Sequence, residues 1–127
     1  MFTINEDGSI YATRGDIVFF KVSALKNGGY EPYIFKIGDV VRIKVFERKT
    51  CKNVVLQKDF VIEEEGEEMT IFLEGDETKL GDIINKPKDY WYEIELNPET
   101  YPQTIVGYDD DGEKIFKLFP EGGMIKE

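Results

Sequence analysis

The stretch Thr13-Arg14-Gly15-Asp16 decides the fold, because it leads directly into the run Ile17-Val18-Phe19-Phe20-Lys21-Val22. A Gly-Asp turn thus precedes a segment rich in β-branched and aromatic residues, and Gly38-Asp39 precedes a similar segment over residues 40–46. Antiparallel all-β domains alternate turns and strands in this way. The sequence therefore predicts an all-β fold, built as an antiparallel β-sandwich.

Turn residues and alternating apolar positions extend this prediction along the chain. Short hairpins are expected around residues 6–9 and 49–53, and the sequence Asp111-Gly112 indicates a further hairpin between segments 101–108 and 113–119. The most strongly patterned strand covers residues 90–96, with Tyr90, Tyr92, Ile94 and Leu96 on one face. One short helical turn is expected within residues 76–83, closed by Gly81.

Length and charge limit the classes of function. The chain has 127 residues, which predicts a single domain over residues 1–127 with its own core. Its net charge of −10 opposes binding to nucleic acid or to an anionic membrane surface. The sequence contains no apolar run of the roughly 20 residues that span a bilayer, and its N-terminus lacks the pattern of a signal peptide. We therefore expect cytoplasmic synthesis, with no nucleic-acid or membrane partner.

The residues that most often carry catalysis are scarce. The chain has no histidine, and Cys51 is its only cysteine, so neither a Cys-His nor a Ser-His-Asp site can form. Neither a P-loop nor a dinucleotide-binding fingerprint is present. Pairs of carboxylates occur by chance in a chain with 26 acidic residues, so they indicate nothing alone. We expect a protein that is not an enzyme and needs no cofactor.

Two acidic segments and one tripeptide have competing interpretations. Asp109 and Asp111 could bind calcium, but the segment lacks the full twelve-residue spacing of a calcium loop and fits a plain hairpin turn better. The run over residues 63–68 could hold a cation, although a solvated loop tip is the simpler interpretation. Arg14-Gly15-Asp16 matches an integrin-binding tripeptide, and we interpret the match as a coincidence.

Phe46 and Trp91 are the candidate contact residues. Each is expected on a strand face that is otherwise polar, and isolated large aromatic residues in such positions often lie in interfaces. Trp91, with Tyr90 and Tyr92 beside it, could instead stack on a sugar ring. The interface interpretation predicts a protein-binding component, and the stacking interpretation predicts a carbohydrate- or other ligand-binding module.

The order of these motifs resembles that of a known family: Thr13 to Asp16, then Gly38-Asp39-Val40-Val41, then Ile71-Phe72-Leu73 leading to Asp76-Glu77-Thr78, then Tyr90 to Leu96. It is similar to the N-terminal immunoglobulin-like domain of baseplate upper proteins and related tail proteins from phages of Gram-positive bacteria, over most of residues 10–120. The resemblance implies an immunoglobulin-like sandwich without catalytic residues, which acts as a structural component or adaptor of a phage or prophage tail and ends up in the virion. It also implies other tail or baseplate proteins as partners, and we expect a homo-oligomer. Family members usually continue into coiled-coil or receptor-binding segments, whereas this sequence stops at Glu127, so we expect a free-standing small protein or adaptor.

Overall fold

A computed structural model describes residues 2–4, 8–25, 31–50, 52–107 and 112–121. Over these ranges the chain forms nine β-strands and no helix, which confirms the all-β prediction. The strands are β1 (Phe2–Ile4), β2 (Ile10–Thr13), β3 (Val18–Val22), β4 (Val40–Arg48), β5 (Lys52–Val61), β6 (Met69–Leu73), β7 (Lys88–Leu96), β8 (Gln103–Val106) and β9 (Lys114–Phe119).

The strands form two sheets that share one core. The larger sheet has the order β1-β2-β9-β7-β4-β5, with β8 also paired to β7, and the smaller sheet consists of β3 and β6. The hairpins β1–β2 and β4–β5 are antiparallel, as predicted. One face of each sheet contributes to a common apolar cluster, in which Val18 and Ile71 of the small sheet join Ile43 and Ile94 of the large one. The architecture is a β-sandwich.

Two pairings differ from the sequence-based expectation. Strand β2 pairs with β9 in parallel, so the large sheet is mixed and not wholly antiparallel. The expected hairpin between the segments on either side of Asp111-Gly112 is wrong at the level of strand pairing, because β8 and β9 both pair with β7. They occupy successive stretches of it, β9 along Lys88–Tyr92 and β8 along Ile94–Leu96. Both segments form their hydrogen bonds with β7 and not with each other, because the alternating apolar face of β7 anchors them.

Burial follows the period of two expected of strands with one covered face. In β7 the side chains of Tyr90, Tyr92, Ile94 and Leu96 are buried, as predicted. In β3 the side chains of Val18 and Val22 are buried, whereas Phe19 on the other face is 54% exposed. The small sheet has only two strands, and on its outer face Phe72, which is directly opposite Phe19, is 40% exposed.

The predicted helical turn is a single hydrogen-bonded turn after β6. The backbone N–H groups of Glu77 and Thr78 both donate to the carbonyl of Glu74, at 2.9 and 3.2 Å. Gly81 follows with a φ of +64°, a backbone conformation that residues other than glycine rarely adopt. The described part of the chain has no helix long and apolar enough to cross a membrane.

Arg14 fastens this turn to the rest of the sandwich. Arg14 is only 7% exposed, and its guanidinium donates to the backbone carbonyls of Gly81 at 2.7 Å and Leu80 at 3.2 Å. It also donates to the carboxylate of Glu121 at 3.1 Å, just beyond the end of β9. A planar guanidinium suits this work because its several N–H donors point in fixed directions. Burial of Arg14 agrees with the interpretation that the Arg-Gly-Asp match is a coincidence.

The backbone of this turn passes over the loop at Gly15 and is in van der Waals contact with it. The N–H of Gly15 donates to the hydroxyl oxygen of Thr78 at 3.0 Å. That hydroxyl also lies 2.8 Å from the carbonyl oxygen of Asp16. A Cβ atom added to Gly75 would lie 2.6 Å from the carbonyl oxygen of Gly15, which is closer than such atoms approach. The crossing therefore requires glycine at position 75.

Lys58 closes the open side between the two sheets. Its ammonium donates to the backbone carbonyl of Phe72 on β6 at 3.0 Å and to the carboxylate of Glu77 at 2.7 Å. It lies 4.0 Å from the centre of the Phe72 ring, and the rings of Phe60 and Phe72 meet edge to face at 5.4 Å. An unpaired strand edge invites pairing with other chains. Lys58 therefore satisfies part of the β6 edge from within the molecule.

Candidate functional site

The structure brings together the two residues that the sequence singled out. Phe46 on β4 and Trp91 on β7 are directly opposite in the antiparallel register. Directly opposed residues of an antiparallel pair point to the same face of a sheet. Both side chains therefore lie on the outer face of the large sheet, and both line a hollow with a volume of about 250 Å³.

The sequence suggested that Phe46 is exposed, but the structure shows that it is buried. It is only 3% accessible, although it belongs to the outer face. The pairing of β4 with β5 shifts its register between Val45 and Phe46, so that two consecutive residues are buried. The β4–β5 turn is also held near the start of β9, because the N–H of Thr50 donates to the carboxylate of Glu113 at 2.6 Å. Phe46 thus forms part of the wall of the hollow, and Trp91 is the partly exposed member of the pair.

Charged groups surround the aromatic wall of the hollow. Glu93, Glu113 and Lys114 line it together with Thr50. Lys114 is buried, and its aliphatic stem packs against Gly8. Tyr92 points inward beneath the hollow, where its hydroxyl donates to the carbonyl of Gly8. An indole face beside carboxylates can bind an apolar side chain with a neighbouring cation, or a sugar ring that also offers hydroxyl donors.

Trp91 shares the outer face with three apolar side chains of the neighbouring strands β9 and β2. The group, called here the outer stripe, consists of Tyr11 on β2, Ile115 and Phe119 on β9, and Trp91 on β7. Trp91 is paired with Ile115, and the rings of Tyr11 and Phe119 are 5.7 Å apart. Each member is partly exposed. Sequence reasoning missed the stripe because the register between β2, β9 and β7 was not predictable.

On the β4 side, salt bridges border the outer stripe. Arg42 pairs with Asp59 at 2.7 Å and with Glu99 at 2.9 Å, and Lys44 approaches Glu95 at 3.5 Å. The hydrogen bond from Arg42 holds the pKa of Asp59 below its ordinary value, and it outweighs the opposite effect of partial burial. The charged side chains on this part of the outer face are therefore paired. The apolar side chains of the outer stripe lie toward β9 and β2, with the ion pair of Lys117 and Asp89, at 3.7 Å, between Ile115 and Phe119.

A second network fixes the Gly38-Asp39 turn beside the end of β7. The hydroxyl of Tyr33 donates to the Asp39 carboxylate at 2.7 Å, the N–H of Lys36 donates to it at 2.9 Å, and the Asn97 amide lies 3.3 Å from its other oxygen. Partial burial and the contact with Asp39 raise the pKa of Tyr33 to about 12. Partial burial alone would raise the pKa of Asp39, but the three hydrogen bonds keep it below its ordinary value. The Gly-Asp motif that indicated a turn in the sequence is thus a hydrogen-bonded cap.

The remaining candidates gain no support as sites. Asp109 and Asp111 lie outside the described residues, so the weak calcium prediction stays a prediction. Across residues 2–4, 8–25, 31–50, 52–107 and 112–121, no three acidic or cysteine side chains cluster closely enough to hold a metal ion. The acidic run is described, and its members at positions 63–65 are exposed, as the solvated-tip interpretation expects.

Comparisons of the chain with protein families, with curated proteins and with solved structures each found no match.

Proposed function

We propose that this protein is a non-enzymatic structural component or adaptor of a phage or prophage tail or baseplate, and that it acts through protein–protein contacts. The tail setting rests on the resemblance of the motif order to baseplate upper proteins. The order of strands is one that an immunoglobulin-like sandwich can have, since β3 and β6 form one sheet while β4, β7 and β9 belong to the other. An immunoglobulin-like connectivity is part of the proposal.

The outer stripe is the observation that carries the contact function. Four apolar side chains lie on the outer face of three adjacent strands, as the pairs Trp91 with Ile115 and Tyr11 with Phe119, on a protein whose net charge is −10. Interfaces typically combine an apolar centre rich in aromatic residues with a polar rim. Here Trp91 occupies the stripe next to Glu93, and the ion pairs around Arg42 and Lys44 supply a charged rim. In the proposed assembly the partner is another copy of the chain or a neighbouring tail protein.

Replacement of Trp91 by alanine tests this proposal. Truncation of a central aromatic contact typically costs about 2 kcal/mol of binding, which weakens association roughly thirtyfold. Tyr101→Ala is the matched control, because Tyr101 is 83% exposed and lies outside the stripe. Sedimentation velocity over a range of concentrations, alone and with the copurifying tail proteins, measures association, and thermal unfolding verifies the fold. Equal association of wild type and Trp91→Ala, with both folded, would refute the stripe as the contact surface.

A carbohydrate- or other ligand-binding module is the second candidate, favoured by the 250 Å³ hollow in which Trp91 lies near Glu93 and Glu113. Sugar sites combine an aromatic stacking face with polar groups that bond hydroxyls. Trp91 is the only tryptophan of the chain, so its fluorescence reports on this hollow alone. Saturable quenching by a glycan would favour the module over the tail component. Calcium-dependent thermal stabilisation would support it further, since an ion that binds only the folded state stabilises that state.

A further inference from the structure

An open groove with a volume of about 870 Å³ lies on another part of the sandwich, between the end of β3 and strand β8. Residues 23–25 line one side and residues 103–105 line the other, and we call it the edge groove. Leu96 and Tyr33 add apolar surface to it, and Leu25 is 61% exposed. The edge groove shares no lining residue with the hollow at Trp91.

Strand β8 presents its backbone edge to the edge groove. Consecutive residues of a strand point to opposite faces, so one face would contribute only every second residue. Gln103 and Thr104, which pair regularly with Leu96 and Glu95, both line the groove, and this places the strand edge-on there. Ile105 also lines the groove, at the register shift of this pairing, where the alternation is interrupted. On its other side β8 pairs with β7, and among the described strands it has no second neighbour. No other described strand therefore occupies the outward edge of β8.

The surroundings of the edge groove are acidic. Glu31 lines the groove itself. A smaller hollow of about 290 Å³ adjoins it through the shared residues 23–25, and Glu67 and Glu68 line that hollow. Lys21 lies 3.8 Å from Glu68 in an exposed pair. An occupant with positive side chains is favoured by this charge distribution.

We infer that the edge groove binds an extended, basic segment of a partner protein, which adds to β8 as a further strand. Strand addition derives affinity from main-chain hydrogen bonds and specificity from alternate side chains. Apolar side chains of the segment would face Leu96, Tyr33 and Leu25, while lysine or arginine side chains would meet Glu31, Glu67 and Glu68. This inference goes beyond the contact at the outer stripe, and either surface can fail its test while the other passes.

Fluorescence anisotropy with designed peptides tests the inference on the full chain. The probe is a capped, fluorescein-labelled octapeptide of alternating lysine and valine. One control peptide replaces lysine by glutamate, and a second keeps lysine and valine but carries N-methyl groups on alternate residues, which remove backbone donors while keeping charge. The protein variants are the double substitution Glu67→Lys with Glu68→Lys and its matched control, Glu64→Lys with Glu65→Lys. Both variants change the net charge equally, but residues 64 and 65 do not line either hollow.

Strand addition predicts that the lysine peptide binds saturably and that the glutamate peptide does not. N-methylation and the variant at positions 67 and 68 should each weaken binding about tenfold, while the variant at positions 64 and 65 should change it less than about twofold. Equal binding of the plain and N-methylated peptides would overturn the inference, because attraction would then be electrostatic only. Equal weakening by both protein variants, or no binding of the lysine peptide at millimolar concentration, would also overturn it.

Discussion

Arg14 offers the sharpest test of how the sandwich is held together. Substitution by methionine keeps an unbranched stem of similar reach and removes every donor. The variant loses the bonds to the carbonyls of Gly81 and Leu80 and the bond to the Glu121 carboxylate. The carbonyls remain in a site where Arg14 itself is only 7% exposed.

The magnitude follows from the kind of bond. A hydrogen bond from a charged donor contributes about 1.5 kcal/mol or more, so the two carbonyl bonds together contribute about 3 kcal/mol. Glu121 is more exposed, with 37% of its side chain accessible, and solvent screening limits its share to at most about 1 kcal/mol. We therefore expect Arg14→Met to lower the free energy of unfolding by about 3 kcal/mol, out of a total of roughly 5–15 kcal/mol for a domain.

Urea unfolding followed by the fluorescence of Trp91 measures this loss, and the slope of the transition shows whether unfolding stays cooperative. Arg48→Met is the matched control, since Arg48 is exposed at the end of β4, and it should change stability by less than about 0.5 kcal/mol. Arg14→Lys should recover only part of the loss, because a single ammonium cannot reproduce the directions of the guanidinium donors. A loss below about 1 kcal/mol for Arg14→Met, or equal losses at both arginines, would refute this role.

Three further predictions concern other contacts of the fold. Gly75→Ala should destabilise the protein by about 2 kcal/mol, because the added methyl group overlaps the Gly15 carbonyl, and thermal unfolding will show no change if the loops can simply part. The raised pKa of Tyr33 means that its contribution to stability is complete below pH 10 and is lost as the pH rises through about 12. The stability difference between wild type and Tyr33→Phe should therefore shrink over that interval, and a constant difference would exclude the coupling to Asp39. Lys58→Met should expose the β6 edge and increase aggregation on gentle heating, as seen by light scattering; unchanged scattering would show that the edge needs no such protection.

Local patterns in the sequence were sufficient to predict most strands. The alternation over residues 90–96 placed Tyr90 and Ile94 in the core, and turn residues located the β1–β2 and β4–β5 hairpins. These features depend on neighbours in sequence, so local chemistry determines them. The Gly38-Asp39 turn was found for the same reason, although its link to Asn97 was not.

Features that depend on distant segments were missed. Arg14 contacts residues 66 and 67 positions away, and no local pattern distinguishes a buried arginine from an exposed one. Phe46 occupies an outward position in the alternation, but the register shift and the turn above it bury the ring. The edge groove forms between residues 23–25 and residues 103–105, which are distant in sequence, so it depends on tertiary structure. Of the candidate site, the sequence could therefore supply Phe46 and Trp91, but neither the burial of Phe46 nor the charged groups around the pair.

The most direct test of the proposed function is a protein inventory of gradient-purified particles from an induced source culture, measured by quantitative mass spectrometry. A tail or baseplate component should be present at a fixed ratio to the other tail proteins, and the ratio should stay constant across the particle peak. Absence of the chain from intact particles would contradict the tail assignment and leave the ligand-binding module as the stronger candidate.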